Sequence, residues 1–238
     1  MNYAGMMMVA AGQSDGNATL VGALGGDAHV TEFLDFRGSA VTSGSTITSA
    51  HDIRGSTGFG PSLAATGSPT LANNRAVFAA GQDLHTSTLA LFTLTSPGSL
   101  LLGAIDRGGA NIAGVAPSAA AASIINPSDN GTDISLWTDH NTVTTVAVSS
   151  AVVPIVITWD GVSGATIQIP NQGVVTATGS ANFTSGNCAL TLGGFFTANG
   201  DNGAVEIACA LTADHEVNAS EVGAFRDYVV AQHAGVAQ

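Results

Sequence analysis

Apolar and polar residues alternate along much of this chain with the two-residue period of an extended strand. Thr166–Ile169 shows the alternation in its simplest form, and Val152–Thr158 is a longer, more continuously apolar run. From Ala76 the strand signals come at close spacing: Ala76–Phe78, Ser87–Leu94, Leu100–Ile105, Ser123–Ile125, Ile134–Trp137, Thr142–Val148 and Val174–Ala177 join the two already named. Turn formers separate them, among them Ser96-Pro97-Gly98, Asn130-Gly131, Asp160-Gly161 and Asn171-Gln172-Gly173. Upstream, Val30–Phe36 and Val41–Ile47 are strand candidates. Residues 51–75, with Gly, Pro, Ser and Asn at short intervals, read as a long loop. Many short strands with regular turn signals predict a sandwich or jelly roll.

One segment breaks the period. Asn218-Ala219-Ser220-Glu221 is a capping box, in which Asn218 caps the free amides and Glu221 reaches back to the cap. Val222, Phe225 and Val229 then form an apolar stripe at helical spacing. The pattern predicts a helix over roughly 219–233, stopped near Gly235. Residues 1–28 are rich in Gly, Ala and Met without a clear period and are expected as an arm or lead-in to a single domain over 29–238. The expected fold is all-β: a two-sheet antiparallel jelly-roll sandwich with one C-terminal helix. Ala189–Leu192 and Ala204–Ala210 are expected to form a hairpin. That hairpin would set Leu192 against Val205, Leu190 against Ile207 and Cys188 against Cys209, either as buried thiols or as a cross-strand disulfide.

Charge narrows the partners. The 238 residues hold 17 Asp+Glu against 5 Lys+Arg, a formal net charge of −12, and all five basic residues are Arg (37, 54, 75, 107 and 226). Nucleic acid and anionic membrane surfaces both need a basic stripe that this chain lacks. Charged residues make up 9%, far below the roughly 25% of an average domain. Ala, Val, Thr, Ser and Gly dominate in their place. The opening stretch lacks the basic segment of a secretion signal and is expected as mature protein.

Several short segments, taken in order, resemble the concanavalin A-like lectin/glucanase superfamily, in particular its laminin-G-like jelly rolls from bacteria and phages. Ile155-Val156-Ile157-Thr158-Trp159-Asp160-Gly161 resembles a hydrophobic strand ending in a W-D-G turn. Leu190-Thr191-Leu192-Gly193-Gly194, then Gly203–Ile207, then Val217–Val222 resemble the closing pattern before a C-terminal helix. Ser68-Pro69-Thr70-Leu71 followed by Arg75–Gly81 resembles the first strand of such a domain. The resemblance spans about residues 60–234 and implies a two-sheet antiparallel sandwich, a fold that hosts many functions.

Glycosidases of this superfamily carry paired carboxylates on one strand, because residues two apart face the same cleft. This chain has no such cluster. Glu32 and Asp35 come nearest, but their spacing sets them on opposite strand faces, where they are expected as solvated charges. An enzyme is therefore not expected, and no catalytic residue is assigned. The six His show no local zinc-binding spacing. No cofactor is expected. Calcium is the one alternative, through Asp129, Asp133 or Asp201, which read otherwise as turn formers. Sugar binding needs an aromatic platform beside polar loop groups. Trp137 with Asp139, His140 and Asn141 is the candidate, against a reading in which Trp137 plugs the sandwich edge. Trp159 is expected in the core. One ring of Phe195-Phe196 is expected at the surface or against a partner, and Glu206 is expected to bond backbone amides. Met6, Met7 and Met8 are expected as an adaptable anchor docking on a neighbouring chain.

Together these readings give a non-catalytic structural or adhesive protein of a virion, such as a phage capsid decoration, spike or tail-associated protein. Its partners would be other virion proteins or like subunits, as a homo-oligomer, with host surface glycans as ligands. The alternative is an independent, extracellular carbohydrate-binding lectin module.

Overall fold

A computed structural model describes residues 11–54, 62–86, 94–106, 111–116, 126–129, 133–137, 142–147, 151–170, 173–178, 188–194 and 204–233. Helix α1 (Ala11–Ala23) is followed by β1 (Val30–Asp35), β2 (Ala40–Ser43) and β3 (Thr46–Ala50). Next come β4 (Leu63–Thr66), β5 (Thr70–Ala72), β6 (Arg75–Phe78), β7 (Asp83–Thr86), β8 (Gly98–Asp106) and β9 (Ala113–Ala116). Strands β10 (Asn126–Asp129), β11 (Asp133–Trp137) and β12 (Thr142–Ala147) form a small sheet of their own. The chain returns through β13 (Val153–Trp159), β14 (Gly164–Ile169), β15 (Gly173–Thr178), β16 (Ala189–Leu192) and β17 (Val205–Ala213), then ends in α2 (Ala219–Gln232).

The main sheet has the strand order β15-β14-β13-β8-β17-β6-β5-β3-β4-β7-β16-β9, with β1 added to β17 and β2 to β3. Every ladder is antiparallel. One apolar cluster unites Ile155, Ile157 and Ile167, from one end of that order, with Leu63, Leu84, Val115 and Leu190 from the other. Side chains so far apart along the sheet can share an interior only if the sheet curls over on itself. The expected antiparallel sandwich with a C-terminal helix is therefore present, its two layers joined through β5 and β3.

Local rules account for most of the strands. In β14, Ala165, Ile167 and Ile169 are buried while Thr166 and Gln168 are partly open, the alternation read from sequence. Strand β13 is buried throughout, because α2 covers its second face. Trp159 is core, as expected. It faces Gly98 across the β13–β8 ladder, and its Nε1 donates to the Ser96 carbonyl at 2.9 Å. A Cβ at Gly98 would lie 2.4 Å from that ring, so the close approach requires glycine. Asp160 is a turn former: its Oδ1 accepts from the amides of Val162, Ser163 and Gly164.

Several expectations are corrected. Val41–Ile47 is two strands, split at Gly44, which has a φ of +63°. Residues 51–75 hold β4 and β5 as well as loop, and Asn73-Asn74, both with positive φ, make the tight turn between β5 and β6. Those strands are three and four residues long, too short for their small side chains to show a period. Strands β7 and β9 were not anticipated. Ser87–Thr93 and Ser123–Ile125 lie outside the described residues.

The expected hairpin between Ala189–Leu192 and Ala204–Ala210 does not form. Strand β16 pairs with β7 and β9, while β17 pairs with β1, β6 and β8. A bulge at Ala208 also resets the alternation of β17. Val205 and Ile207 face the sandwich interior, whereas Cys209 and Leu211 face the helices. Cys188 and Cys209 are thus free thiols in two separate cores. Burial pushes the Cys188 thiol up to about 11.

The α2 capping box is formed. Asn218 Oδ1 accepts from the amides of Ser220 (2.9 Å) and Glu221 (3.2 Å), and Glu221 Oε2 accepts from the Asn218 amide at 2.7 Å. Val222, Phe225 and Val229 are buried on the outer face of the sheet. Helix α1, in the stretch expected as a lead-in, packs against α2 and contributes Leu20 and Val21 to the same cluster. Residues 1–10, with Met6, Met7 and Met8, lie outside the described residues. Among the described residues no helix is long and apolar enough to cross a membrane.

Candidate functional site

Most residues singled out by sequence fall where little is described. Trp137 closes β11, with its backbone opposite Asn126 and Thr142; Asp129 is the last residue of β10 and Asp133 the first of β11. Asp139, His140, Asn141, Asp201 and Phe195-Phe196 lie outside the described residues. Glu206 ion-pairs with the Arg75 guanidinium at 3.1 Å, a structural role.

Glu32 and Asp35 do lie on opposite faces of β1, but neither is solvated: Glu32 is 1% exposed and Asp35 0%. Asp35 sits under α2. Its Oδ1 accepts from the Arg37 amide and Nε, both at 2.9 Å, and its Oδ2 accepts from Arg37 Nη2 and from the Tyr228 hydroxyl. Arg37 also donates to the Tyr228 hydroxyl (2.9 Å) and to Gln232. The Asn17 amide oxygen of α1 lies 2.7 Å from that hydroxyl. Burial pushes the Asp35 carboxyl up, but the bonds from Arg37 and Tyr228 outweigh it and hold the pKa below the ordinary range. Burial keeps His233 neutral, with its pKa lowered to about 4.

A second clamp repeats the first. Asp52 accepts from the Arg54 amide at 2.8 Å and from the Arg54 guanidinium, and its Oδ2 also accepts from the Phe33 amide at 2.9 Å. Both clamps read Asp-x-Arg-Gly in sequence, Asp35–Gly38 and Asp52–Gly55. That recurrence is visible in the amino-acid sequence alone. Glu32 has no hydrogen-bond partner among the described residues. Burial, with the Asp52 charge adding to it, raises its pKa from the ordinary 4.5 to about 8.

At the surface, His29 immediately precedes β1, and Asp214-His215 immediately follow β17. The β1–β17 ladder pairs Val30 with Ala213, so residues 185 apart in sequence meet at its end. Asp214 Oδ1 lies 3.0 Å from His29 Nδ1 and 3.3 Å from His215 Nδ1. His215 Nε2 lies 3.0 Å from Glu221 Oε1. Burial lowers the pKa of His215, but bonds to Glu221 and Asp214 outweigh it and leave it raised. No local spacing announces this cluster, because long-range pairing assembles it. Elsewhere, a cleft of about 500 Å³ opens between α1 and α2. The aromatic ring at its edge, Tyr228, is 6% exposed and offers no face for stacking.

No family model matches the chain, and no curated protein matches its sequence. Solved structures do resemble it. Trypanosoma rangeli sialidase in complex with sialic acid aligns with a TM-score of 0.62 at 11% identity, over 85% of this chain and 33% of that one. The chain thus spans about a third of the sialidase's length. The binding domain of Botulinum neurotoxin DC, in complex with rat synaptotagmin II, aligns at 0.54 and 10% identity over 80% and 52%. Domain 4 of AbnA, a GH43 extracellular arabinanase from Geobacillus stearothermophilus in complex with arabinotriose, aligns at 0.50 and 11% over 83% and 98%. At such identities the likeness is one of fold. The class so defined is a curled antiparallel β-sandwich, an architecture shared with carbohydrate-binding and glycosidase domains.

Proposed function

We propose that this chain is a non-catalytic, carbohydrate-binding β-sandwich module. The observation that carries the non-catalytic part is the condition of its buried carboxylates. Asp35, Asp52, Asp83 and Glu221 are held by Arg37, Arg54, His85 and the α2 cap. Glu32 is sealed from solvent. Most glycosidases use two carboxyl groups about 5–9.5 Å apart across an open groove, and these five, the buried carboxylates among the described residues, are engaged in holding the fold or are out of reach.

The carbohydrate part is supported by the architecture shared with the arabinotriose-bound domain and the sialidase. Within the chain, the Trp137 end of β11, with Asp139, His140 and Asn141 after it, supplies the residue types of a sugar platform. The finer setting in this proposal is a phage particle, with like subunits as partners and host glycans as ligands. Its support is compositional: no Lys, few charges, and abundant Gly, Ala and Thr.

A glycan array followed by calorimetry, on the intact chain and on Trp137→Ala, tests the reading. The expected result is binding to a defined sugar that weakens about tenfold or more in the variant, with an unchanged melting curve. Hydrolysis of a glycoside by the intact chain would overturn the non-catalytic part. Sugar affinity indifferent to Trp137→Ala would remove the site. Light scattering on the same sample reads the subunit number, and a monomer would remove the like-subunit partners.

A further inference from the structure

We propose that His29, Asp214 and His215 form a binding site for a divalent transition-metal ion of the Zn²⁺ type, with Glu221 backing His215. The site is independent of the sugar-binding reading and lies on other elements.

The donor set is two imidazole nitrogens and one carboxylate oxygen. Such ligands suit borderline ions such as Zn²⁺, whereas Ca²⁺ prefers oxygen alone. The spacing fits as well. Zinc ligands sit about 2.0–2.1 Å from the ion, so tetrahedral donors lie about 3.3 Å apart. Asp214 Oδ1 is 3.0 Å from His29 Nδ1 and 3.3 Å from His215 Nδ1. One donor atom from each of the three residues falls within 4.8 Å of the other two. The His rings meet edge to face, 82° apart, so both can aim a nitrogen at one point without stacking.

Glu221 supplies the part that distinguishes a metal site from a chance cluster. When the His215 Nε2–H donates to Glu221 Oε1, 3.0 Å away, the lone pair of Nδ1 is left facing Asp214. Carboxylate–histidine pairs of this kind fix the tautomer and raise the basicity of metal-ligating histidines. The same Glu221 accepts the Asn218 amide through its other oxygen, so the helix cap holds it in place. Ser99 pins the corner between β17 and α2: its hydroxyl donates to the His215 carbonyl at 2.6 Å and accepts from the Val217 amide at 3.0 Å. On the other side, the Asp214 amide donates to the His29 carbonyl at 3.0 Å. The backbone on both sides of the cluster is therefore fixed before any ion arrives.

The side chains of His29, Asp214 and His215 are 52%, 46% and 31% exposed. Three protein ligands facing solvent leave the fourth position for a water molecule or a ligand oxygen. The ion would join the start of β1 to the β17–α2 corner and so bind the folded chain in preference to the unfolded one.

The test is a ZnCl₂ titration of the metal-stripped full chain by calorimetry, repeated on His29→Ala, His215→Ala and Glu221→Gln. The expected result is one saturable site per chain, weakened tenfold or more in each His variant. Glu221→Gln keeps the cap, since Gln also serves in capping boxes, and is expected to weaken Zn²⁺ roughly 10–100-fold. Co²⁺ in place of Zn²⁺ should give the intense visible bands of a four-coordinate site, lost in His29→Ala. That substitution lies at a half-exposed position and should leave metal-free melting unchanged. Absence of saturable Zn²⁺ binding overturns the proposal. So does wild-type affinity for Zn²⁺ in both His variants, or a site that takes Ca²⁺ and refuses Zn²⁺.

Discussion

Two acids three residues apart on β1 live in opposite worlds. Asp35 faces the helices and is ionised, held by Arg37 and Tyr228 with its pKa below the ordinary range. Alternation puts Glu32 on the side of Leu34 and Phe36, which belong to the sandwich interior. There it finds no partner, and its pKa rises to about 8. The difference lies in what covers each face. The interior cluster is built of apolar side chains, among them Leu102, Ile155 and Leu190, and the charges that act on Glu32 are those of Asp52, which raises its pKa further, and Arg54, which lowers it by less. The outer face of β1 and β17 is closed by α2, whose Tyr228 and Gln232 bring polar ends into a buried layer. A buried charge persists where a partner is built beside it, and otherwise gives way to the neutral form.

The strongest way to break this contrast is Asp35→Ala. It leaves the Arg37 guanidinium, 8% exposed, without its partner. Removing one member of a buried pair costs about 3–5 kcal/mol. We expect a loss of that size in urea unfolding at pH 7. Because Asp35 is held below its ordinary range, its contribution is present above the unfolded carboxylate pKa and fades as pH falls through the lower folded value. The gap between wild type and variant should therefore narrow under strong acid. Leu102→Ala in the interior should also cost about 2–5 kcal/mol, with no such narrowing. A loss below about 1 kcal/mol for Asp35→Ala would mean that the layer under α2 is wet, and that the two faces differ less than the packing indicates.

The same contrast explains what the sequence could convey. Strands with one dry and one wet face announce themselves, and β14 and the helix α2 were read nearly to the residue. The polar layer was not legible, because Glu32 and Asp35 look identical to solvated strand charges until a helix is placed over the sheet. Alternation also fails across a bulge. Val205 and Ile207 point inward, but the extra residue Ala208 turns Cys209 the other way, and the expected cysteine pairing goes with it. The His29–Asp214–His215 cluster lies beyond any local pattern, since only the β1–β17 ladder brings its parts together. Helix α1 shows no signal because Gly12 and Gly16 interrupt any periodic stripe and, among residues 16–23, only Leu20 and Val21 are buried.

Glu32→Gln probes the interior side and should act in the opposite direction. A carboxyl raised from 4.5 to about 8 binds a proton in the folded chain that the unfolded chain releases. Its stability is therefore fullest below pH 4.5, falls as pH rises, and levels off above about 8. At 1.36 kcal/mol per pKa unit, the penalty at pH 7 is about 3 kcal/mol. The neutral amide of Glu32→Gln should recover an amount of that order at pH 7 and about none at pH 4. Unfolding midpoints at pH 4, 6 and 8 measure it. A wild-type profile flat between pH 5 and 8 would show that Glu32 is hydrated or paired, and the contrast with Asp35 would fail.

Asn218→Ala sharpens the comparison from its weakest point. The cap satisfies two amides at the start of α2, at a partly exposed site where water can replace the lost acceptor. Loss of an Asn cap costs about 1 kcal/mol, and we expect that, without pH dependence between 5 and 8. The helix should stay docked, because Phe225 and Val229 are fully buried and Tyr228 is still held by Asp35 and Arg37. Circular dichroism and urea unfolding of the variant read both parts. If Asn218→Ala cost as much as Asp35→Ala, α2 would owe its position to its end rather than to its buried face. The polar layer would then be a consequence of where the helix starts, and not what holds it against the sheet.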